Sequence, residues 1–415
     1  MSAVRERVVI VGGGRAGVAA AEELRIAGFA GDVVVLHDEF GAPYDRPACG
    51  KGLLTGRSRP GDVALPIAAG VEVDWRPGSR AVQLDVRDRT IVLDSGERLG
   101  YDGLVIATGS APVIPAECPV GEPGCHALYR LDDAWRLRAD LQWAQTVAVI
   151  GGGISGCEVA SAVRSIGARC HLVDPSAAAT SPTARRITAA ALSDELARQG
   201  INLRLGRRLA DVASARNGWC LTLDDGEQLQ ADVVVACVGE RADTQWLSQT
   251  PQIDATDGVL CDEALRVCCA PNVVAAGTVA RWPNLQYSAE PVRIGQWITA
   301  WEHGHAAARS LLAGSGPVPP VTHVPRFWSE QFGLRIQVCG TIPQHGEAHV
   351  SHLNPRRRDT ARAGLLVTYF GDAGIEAVVA VNAVRCFTPV ARGILAAQGP
   401  VVATRSEPRR LAVVG

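Results

Sequence analysis

The pattern of apolar and polar positions predicts that one α/β unit occurs twice along the chain. Residues 7–39 read RVVIVGGGRAGVAAAEELRIAGFAGDVVVLHDE, which is a strand, a glycine turn, an alanine-rich helix and a second strand. The unbroken apolar run of the first strand is typical of a parallel strand covered on both faces. The same order returns in residues 146–174, TVAVIGGGISGCEVASAVRSIGARCHLVD. The sequence therefore predicts two doubly wound α/β units.

The turn of the first unit carries the residues that dinucleotide binding requires. Gly12, Gly14 and Gly17 form GxGxxG, and Asp38 and Glu39 follow the second strand. In such a loop the first glycine permits the turn, the second lets backbone approach a pyrophosphate, and the third allows close packing of helix on strand. The helix N-terminus offers unpaired N–H groups to the phosphates. A carboxylate after the second strand can accept hydrogen bonds from both hydroxyls of an adenosine ribose.

The second unit repeats this arrangement with Gly151, Gly153, Gly156 and the acidic Asp174. Two units imply two bound dinucleotides, or an internal duplication in which one site no longer binds. We interpret both as working sites because each has the full strand, turn, helix, strand and acid context.

The residues after Asp174 favour NADH over NADPH at the second site. Seven residues follow without an arginine that could neutralise a 2′-phosphate. Arg185 and Arg186 come further along and leave NADPH open.

Apolar runs outside the two units predict crossover strands and a separate C-terminal part. Residues 101–115 and 231–244 each show a buried strand that ends in a glycine turn, as does 271–284. A helix is expected from about 295 to 313, and a proline-rich linker over 314–325. Beyond the linker, RFWSEQFGLRIQVCGTI, GLLVTYF and IEAVVAVNA predict short antiparallel strands, FTPVARGILAAQ predicts a helix, and SEPRRLAVVG predicts a surface tail.

Composition narrows the function classes. The 415 residues carry a formal net charge of −2, which gives no bias toward nucleic acid or anionic membranes. No apolar run is long enough to span a bilayer, and the chain runs straight into its first strand, so we expect neither a membrane anchor nor a signal peptide. Twelve cysteines without a CxxC predict free thiols in the cytoplasm and no metal site.

One residue type is almost missing. Lys51, in ACGKGL, is the single lysine among 41 Lys and Arg residues. Chance is one explanation. The alternative is that this position needs a compact ammonium, which a planar guanidinium cannot replace.

Seven stretches along the chain match the motifs of one known family: YDRPACGKGLL, LVIATGS, YRLDDA, GGGISGCE, VVVACVG, AAGTVA and FWSEQFGLRIQVCG. Together they resemble the FAD-dependent NADH:ferredoxin reductases that serve bacterial oxygenases, within the glutathione-reductase-like superfamily. The resemblance implies that the first unit binds FAD, the second binds NADH and the C-terminal domain closes over the flavin. It also implies hydride transfer from NADH to FAD, followed by single-electron transfer to a [2Fe–2S] ferredoxin.

The expected fold is two Rossmann-like dinucleotide-binding domains plus a C-terminal α+β domain with an antiparallel sheet. The predicted domains are an FAD-binding domain in two parts, 1–115 and 241–320, an NAD-binding domain, 116–240, a C-terminal interface domain, 321–405, and a tail, 406–415.

The resemblance assigns roles to several side chains. It implies that Lys51 lies near the flavin N5 edge and pairs with Glu158 where the nicotinamide meets the flavin. Glu158 could also be only a helix N-terminal charge favoured by the dipole. Trp297 and Trp328 are expected to flank the two rings, and a core position is the alternative for each.

Further cofactor contacts follow from the same resemblance. They are expected at Arg46, Thr108, Gly109, Arg130, Gly239 and Gly277. A surface ion pair is the alternative for Arg46.

Three positions differ from the resembled family. Thr278 replaces an aspartate that bonds the flavin ribityl chain, which predicts weaker FAD binding because charge assistance is lost. Gly295 replaces a glutamate near the nicotinamide. Cys49 stands where a redox cysteine occurs in some flavoprotein disulfide reductases, although it is also a common small apolar residue. The adjacent Cys268 and Cys269 are expected to be buried thiols at a strand edge.

These observations leave three hypotheses. The first is a cytoplasmic NADH:ferredoxin reductase that feeds a monooxygenase, as a monomer or weak dimer. The second is a single-component flavoenzyme that acts on a small organic or disulfide substrate, using Cys49. The third is a flavin-poor binding or scaffold protein, with Thr278 as a first loss. An acidic ferredoxin would need a basic docking face, and Arg356–Arg358, Arg409 and Arg410 are candidates. The alternative for these short arginine runs is that they are ordinary solvated loops.

Overall fold

A computed structural model describes most of the 415 residues. The described segments are 6–68, 71–176, 187–343, 347–353, 364–371 and 374–397, with backbone only for 187–192. Arg185, Arg186, the arginines proposed for docking (Arg356–Arg358, Arg409 and Arg410) and the predicted tail lie outside them.

The described segments contain seven α-helices. These are α1 (Arg15–Ile26), α2 (Gly52–Thr55), α3 (Leu131–Leu141), α4 (Ile154–Ser165), α5 (Ile187–Arg198), α6 (Trp297–Ala313) and α7 (Val384–Ala396).

The strands are mostly short. They are β1 (Arg7–Val11), β2 (Asp32–His37), β3 (Asp74–Pro77), β4 (Ala81–Asp85), β5 (Thr90–Leu93), β6 (Arg98–Gly100), β7 (Gly103–Ile106), β8 (Ser110–Pro112), β9 (Cys125–Ala127), β10 (Thr146–Ile150), β11 (Arg169–Asp174), β12 (Ile201–Leu205), β13 (Leu209–Ala215), β14 (Gly218–Leu223), β15 (Gln228–Ala231), β16 (Val233–Ala236), β17 (Glu240–Ala242), β18 (Val259–Leu260), β19 (Val273–Ala275), β20 (Ala280–Pro283), β21 (Pro291–Val292), β22 (Arg326–Gln331), β23 (Leu334–Gly340), β24 (Glu347–Leu353), β25 (Gly364–Gly371) and β26 (Gly374–Val381).

The chain divides into two compact units, and each unit is built from three segments. Unit 1 comprises Met1–Arg46, Pro60–Ala111 and Glu240–His323. Unit 2 comprises Pro47–Arg59, Pro112–Gly239 and Val324–Gly415. The finer division into FAD, NAD and interface domains stays a prediction.

Unit 1 is centred on a parallel sheet in the order β19-β7-β1-β2-β3. Strands β1, β2, β7 and β19 are buried because their central residues are apolar, whereas the edge strand β3 is half-buried to exposed. Helices α1 and α6 pack closely against each other: a Cβ on Gly304 would lie 2.3 Å from the carbonyl oxygen of Ala16. This packing fixes the N-terminus of α6 within unit 1.

Unit 2 contains a second parallel sheet, in the order β12-β11-β10-β16-β9. Its central strand, β10, is buried at all five positions. The duplication predicted from the two glycine motifs is therefore a duplication of the sheet and of the turn after its central strand.

Each parallel sheet is accompanied by a three-stranded antiparallel sheet that the sequence analysis did not predict. These are β4-β5-β6 in unit 1 and β13-β14-β15 in unit 2. Hairpin signals were present in the sequence, since DSGE (94–97) and DDGE (224–227) are turn sequences; in the structure Gly96 and Gly226 close these turns with positive φ. Large apolar residues at alternate positions of β14, Trp219, Leu221 and Leu223, were a second signal.

Unit 2 also contains the C-terminal antiparallel sheet, in the order β22-β23-β26-β25-β24. The amphipathic α7 packs on β26 and β23. The α/β class and the antiparallel C-terminal sheet expected from the sequence are confirmed.

One sequence prediction about thiols is wrong. Cys268 and Cys269 are exposed, not buried, because they lie in the turn after Val267, where Cys269 has a φ of +63°. None of the twelve cysteines, all of which lie in described segments, forms a disulfide bond. No helix in the described part of the chain is long and apolar enough to cross a bilayer.

Candidate functional site

The first glycine loop brings the backbones of β1, α1 and β7 together. A Cβ on Gly17 would lie 1.9 Å from the carbonyl oxygen of Gly12, and one on Gly12 would lie 2.2 Å from that of Ala107. Gly14, the N-cap of α1, has nothing within 4 Å of its missing side chain. Glycine is thus required at the turn and at the packing contact, while the middle position is open. A pyrophosphate fits this loop.

Arg15, which was not predicted as a site residue, lies inside this loop as the first residue of α1. Its guanidinium carbon lies 4.7 Å from the centre of the Trp297 ring and 5.7 Å from that of Trp301. Burial lowers the pKa of Arg15, while Glu22 and Asp45 act in the opposite direction. An arginine within a phosphate-binding glycine motif was the signal that could have found it. Trp297, the first residue of α6, is therefore held next to the first glycine loop.

The acidic residues after β2 are partly engaged within the protein. Glu39 accepts hydrogen bonds from the Tyr44 hydroxyl (2.7 Å) and from Nη2 of Arg46 (2.9 Å). The Arg46 guanidinium also lies 5.4 Å from the centre of the Tyr44 ring. Asp38 comes directly after β2 and is half-buried. The structure thus shows the ion pair that was the alternative for Arg46, and its cofactor contact stays a prediction.

The turn after β7 lies at the carboxyl end of the sheet and is hydrogen-bonded to Asp243, the residue after β17. The Thr108 hydroxyl donates a hydrogen bond to the carbonyl oxygen of Asp243 (2.7 Å), whose N–H donates to the carbonyl oxygen of Gly109 (3.1 Å). Gly109 has a φ of +72° and open space where a side chain would stand. Its backbone is therefore accessible for close approach by a ligand.

The loop after β19 packs on the first glycine loop. A Cβ on Gly277, whose φ is +79°, would lie 3.0 Å from the Cβ of Ala16. Thr278 follows, and its methyl group would lie 3.4 Å from a Cβ on Gly295. Thr278, which stands in place of an aspartate of the resembled family, therefore lies beside Gly295, which stands in place of a glutamate.

Glu240 was not singled out from the sequence, yet it lies at this place. A Cβ on Gly295 would be 2.5 Å from its Oε1. Its Oε2 accepts a hydrogen bond from the Ser110 hydroxyl (2.8 Å). A carboxylate is therefore present beside position 295 although residue 295 has no side chain.

The second glycine loop reproduces the first in unit 2. A Cβ on Gly156 would lie 1.9 Å from the carbonyl oxygen of Gly151, and one on Gly151 would lie 2.2 Å from that of Cys237. Gly153, the N-cap of α4, has open space. This loop therefore fits a second pyrophosphate.

Asp174 ends β11 beside that loop. Its Oδ2 accepts a hydrogen bond from the N–H of Gly152 (2.5 Å), and its Oδ1 accepts one from the N–H of Ser176 (2.7 Å). These bonds orient the carboxylate at the carboxyl end of the sheet, where an adenosine ribose is expected.

Lys51 and Glu158 form an ion pair in unit 2. The distance from Nζ to Oε1 is 3.2 Å, and Nζ also donates to the carbonyl oxygen of Pro47 at 3.4 Å. Glu158 is 7% exposed and Lys51 26% exposed. Burial raises the pKa of the Glu158 carboxyl, and the Lys51 charge opposes this rise. The predicted pairing of these side chains is present, and their role toward the flavin stays a prediction.

Other predicted site residues also lie in unit 2. The N–H of Arg130 donates to Oδ2 of Asp133 (2.7 Å) at the start of α3. Gly239 has a φ of +110° and open space around it. Trp328, on β22, is 43% exposed, whereas Cys49 is only 3% exposed.

The protein contains two copies of one parallel sheet, and each copy has a glycine loop that fits a pyrophosphate. This arrangement is that of an oxidoreductase that binds two dinucleotides. Residues 6–304 match the pyridine nucleotide-disulphide oxidoreductase family, and residues 326–408 match the reductase C-terminal family. The chain belongs to the pyridine nucleotide-disulphide oxidoreductases, in agreement with the resemblance found in the sequence. It is an FAD-containing oxidoreductase that uses NADH.

Individual relatives are similar over nearly their whole length. The ferredoxin–NAD(+) reductase component of the biphenyl dioxygenase system of Paraburkholderia xenovorans (strain LB400) is 31% identical over 93% of this chain and 92% of its own. A rubredoxin–NAD(+) reductase of Pseudomonas putida is 31% identical over 83% and 89%. Among solved structures, the covalent putidaredoxin reductase–putidaredoxin complex matches with a TM-score of 0.82 at 25% identity, over 94% of this chain and 93% of that chain.

Proposed function

We propose that this enzyme works in the cytoplasm as an NADH-dependent reductase of a [2Fe–2S] ferredoxin that feeds a monooxygenase. The observation that carries the proposal is the ion pair between Lys51 and Glu158, formed by the single lysine of the chain. The ferredoxin and rubredoxin reductases among its relatives support an iron–sulfur protein as the acceptor.

The residues of unit 1 would hold FAD. Gly12, Gly14 and Gly17 would receive the pyrophosphate at the N-terminus of α1, where unpaired N–H groups favour an anion. Asp38 and Glu39 would bind the adenosine ribose, and Gly109 would let backbone approach the cofactor. Further contacts to FAD are proposed for Arg46, Thr108, Gly277, Thr278 and Trp297.

The residues of unit 2 would hold NADH. Gly151, Gly153 and Gly156 would receive its pyrophosphate, and Asp174 would accept hydrogen bonds from the ribose hydroxyls. An oriented carboxylate at this position disfavours a 2′-phosphate, which supports NADH over NADPH. Gly239, Arg130 and Trp328 complete the residues proposed to contact the cofactors.

Bound FAD supplies an acceptor for the hydride of NADH and a donor of single electrons. The part of the protein is to hold the reactants and to stabilise the charge that develops. Lys51 would provide a fixed ammonium for negative charge on the reacting ring, in a site with little water. Glu158, at 3.2 Å from Nζ, would hold that ammonium in place together with the carbonyl oxygen of Pro47, which accepts a hydrogen bond from Nζ at 3.4 Å.

The test is anaerobic mixing of the FAD-loaded protein with NADH, followed by addition of an oxidised plant-type [2Fe–2S] ferredoxin. Bleaching of the flavin and then reduction of the iron–sulfur cluster are the expected results. Rubredoxin in place of ferredoxin tests the acceptor class. A flavin that is reduced by NADH but passes no electrons to either protein would contradict the proposal.

The second candidate function, direct reduction of a small disulfide by Cys49, is tested in the same experiment. Cys49→Ala is expected to leave ferredoxin reduction unchanged, because a thiol that is 3% exposed is shielded from a disulfide substrate. A long-wavelength absorption band on reduction that disappears in Cys49→Ala would favour the second candidate.

A further inference from the structure

One oxygen of the Glu158 carboxylate has two donors from different parts of unit 2. Nζ of Lys51 lies 3.2 Å from Oε1, and the hydroxyl of Ser329 donates to the same oxygen at 2.5 Å. Lys51 precedes α2, Glu158 lies in α4, and Ser329 lies in β22, 171 residues from Glu158. The ion pair is therefore part of a three-residue cluster that the sequence analysis did not predict.

The alternation of β22 directs Ser329 into the interior. Ser329 and Gln331 are buried, at 0% and 2% exposure. Trp328, which precedes Ser329, and Glu330, which lies between the two buried residues, are exposed. Nε2 of Gln331 donates to the Ser329 oxygen at 3.3 Å. Because the Ser329 oxygen accepts that bond, its own proton is directed to Glu158. Strand β22 thus places the hydroxyl of Ser329 as an oriented hydrogen-bond donor to the buried carboxylate of Glu158.

A buried carboxylate needs such donors to stay ionised. Burial raises the pKa of Glu158, and the Lys51 charge and the Ser329 hydrogen bond both lower it. The other titratable groups that act on or sense Glu158 are Glu330, which raises its pKa, and the thiols of Cys157 and Cys237. Burial raises the pKa of both thiols to about 12, so they are neutral near pH 7.

We propose that Ser329 is a positioning residue for the Lys51–Glu158 pair: its hydroxyl keeps Glu158 ionised, so that the only ammonium side chain of the protein keeps an anionic partner. Any effect of Ser329 on hydride transfer rests on the function proposed above. The protonation of Glu158 itself can be measured without NADH or any acceptor.

The single lysine makes this measurement direct. Protein labelled with ¹³C,¹⁵N-lysine and loaded with FAD gives one lysine side-chain signal in a heteronuclear NMR spectrum. Because Lys51 touches Glu158, this signal should show a step when Glu158 titrates. In Ser329→Ala the step should move to higher pH by about one unit, since a hydrogen bond to a charged group is lost. An unmoved step would overturn the proposal.

Three variants make the result specific. Glu158→Gln should abolish the step, and a step that persists would overturn its assignment to Glu158 and with it the proposal. Ser329→Thr keeps the hydroxyl and should return the midpoint toward that of the wild type; a shift as large as in Ser329→Ala would show that the hydroxyl is not responsible. Ser310→Ala removes another buried serine, on α6, and should leave the step in place; a comparable shift there would also overturn the proposal.

The NMR titration and the ferredoxin assay test the two proposals independently. A shifted midpoint in a protein that passes no electrons to ferredoxin would uphold the role of Ser329 and contradict only the acceptor. An unshifted midpoint in an active ferredoxin reductase would contradict only the role of Ser329.

Discussion

The carboxylate of Glu240 occupies the space that a side chain at Gly295 would need. A Cβ on Gly295 would lie 2.5 Å from Oε1 of Glu240, and Oε2 is held by the hydroxyl of Ser110 at 2.8 Å. The glutamate expected at 295 is thus absent, but a carboxylate from a residue 55 positions earlier stands beside the same place. The two positions should therefore respond to mutation together.

Gly295→Ala is expected to lower the free energy of unfolding by about 1 kcal/mol, because the new methyl group must displace Glu240 and weaken its bond to Ser110. In a Glu240→Ala background the same change should cost almost nothing. Chemical denaturation of the four proteins of this cycle measures the coupling. Gly61→Ala, with nothing within 4 Å of the new methyl group, serves as the control. Equal costs in both backgrounds would show that Gly295 and Glu240 are not in contact.

Matched substitutions in the two glycine loops should separate the two cofactors. Each of Gly17→Ala and Gly156→Ala places a methyl group 1.9 Å from a carbonyl oxygen of the same loop, which a backbone cannot easily avoid. Gly17→Ala should yield protein without yellow colour. Gly156→Ala should keep its flavin but bind NAD⁺ at least about tenfold more weakly, or about 1.4 kcal/mol. Flavin content after purification and a titration with NAD⁺ give the answer; the reverse pattern would exchange the two assignments.

Lys51→Met should slow reduction of the flavin by NADH by roughly 10- to 100-fold, which corresponds to about 1.4–2.7 kcal/mol of barrier. The substitution removes a fixed positive charge, and it leaves the buried carboxylate of Glu158 without its ionic partner. Single-turnover mixing measures the rate. Arg57→Met removes an exposed cation from the same segment and should leave the rate near that of the wild type. An unchanged rate in Lys51→Met would remove the functional explanation of the single lysine.

His303 should make unit 1 sensitive to acid. Its ring is fully buried edge-on against Trp282 at 4.2 Å, and burial lowers its pKa to about 3, with His323 acting in the same direction and Glu302 against it. An unfolded histidine binds its proton near pH 6.5, so the folded state loses stability as the pH falls from 6.5 toward 3. This loss is about 2 kcal/mol by pH 5.

His303→Phe keeps the contact with Trp282 and should reduce the difference in unfolding free energy between pH 7 and pH 5 by about that 2 kcal/mol. Denaturation curves at both pH values measure it. The exposed His349, replaced in the same way, is the control. A variant with the same acid sensitivity as the wild type would show that His303 is not the responsible group.

The parts of the fold that could be predicted from sequence are those encoded within a short window. The apolar strand, the three glycines and the acidic end of each unit lie within about 30 residues, so Gly12 to Glu39 and Gly151 to Asp174 could be interpreted as local geometry. Pairing of Lys51 with Glu158, 107 positions apart, followed only from the resemblance to a family.

Contacts made by unremarkable residues could not be predicted. The hydroxyl of Ser329 meets Glu158 across 171 positions, and Glu240 reaches Gly295 across 55, without any local periodicity that marks either. The exposure of Cys268 and Cys269 depends on a turn with positive φ rather than on their apolar character. Such details depend on tertiary packing, which overrides local propensity.

Both units are discontinuous in the chain, each being assembled from three stretches that alternate with those of the other. A single cut anywhere in the gene therefore leaves at least one unit incomplete, and an excised fragment such as 112–239 would lack the strands that the C-terminal stretch contributes to unit 2. Recombination with a related reductase would have to exchange several interleaved pieces at once. Engineering by module swapping is correspondingly restricted, and point substitutions are the practical route for altering one nucleotide site independently of the other.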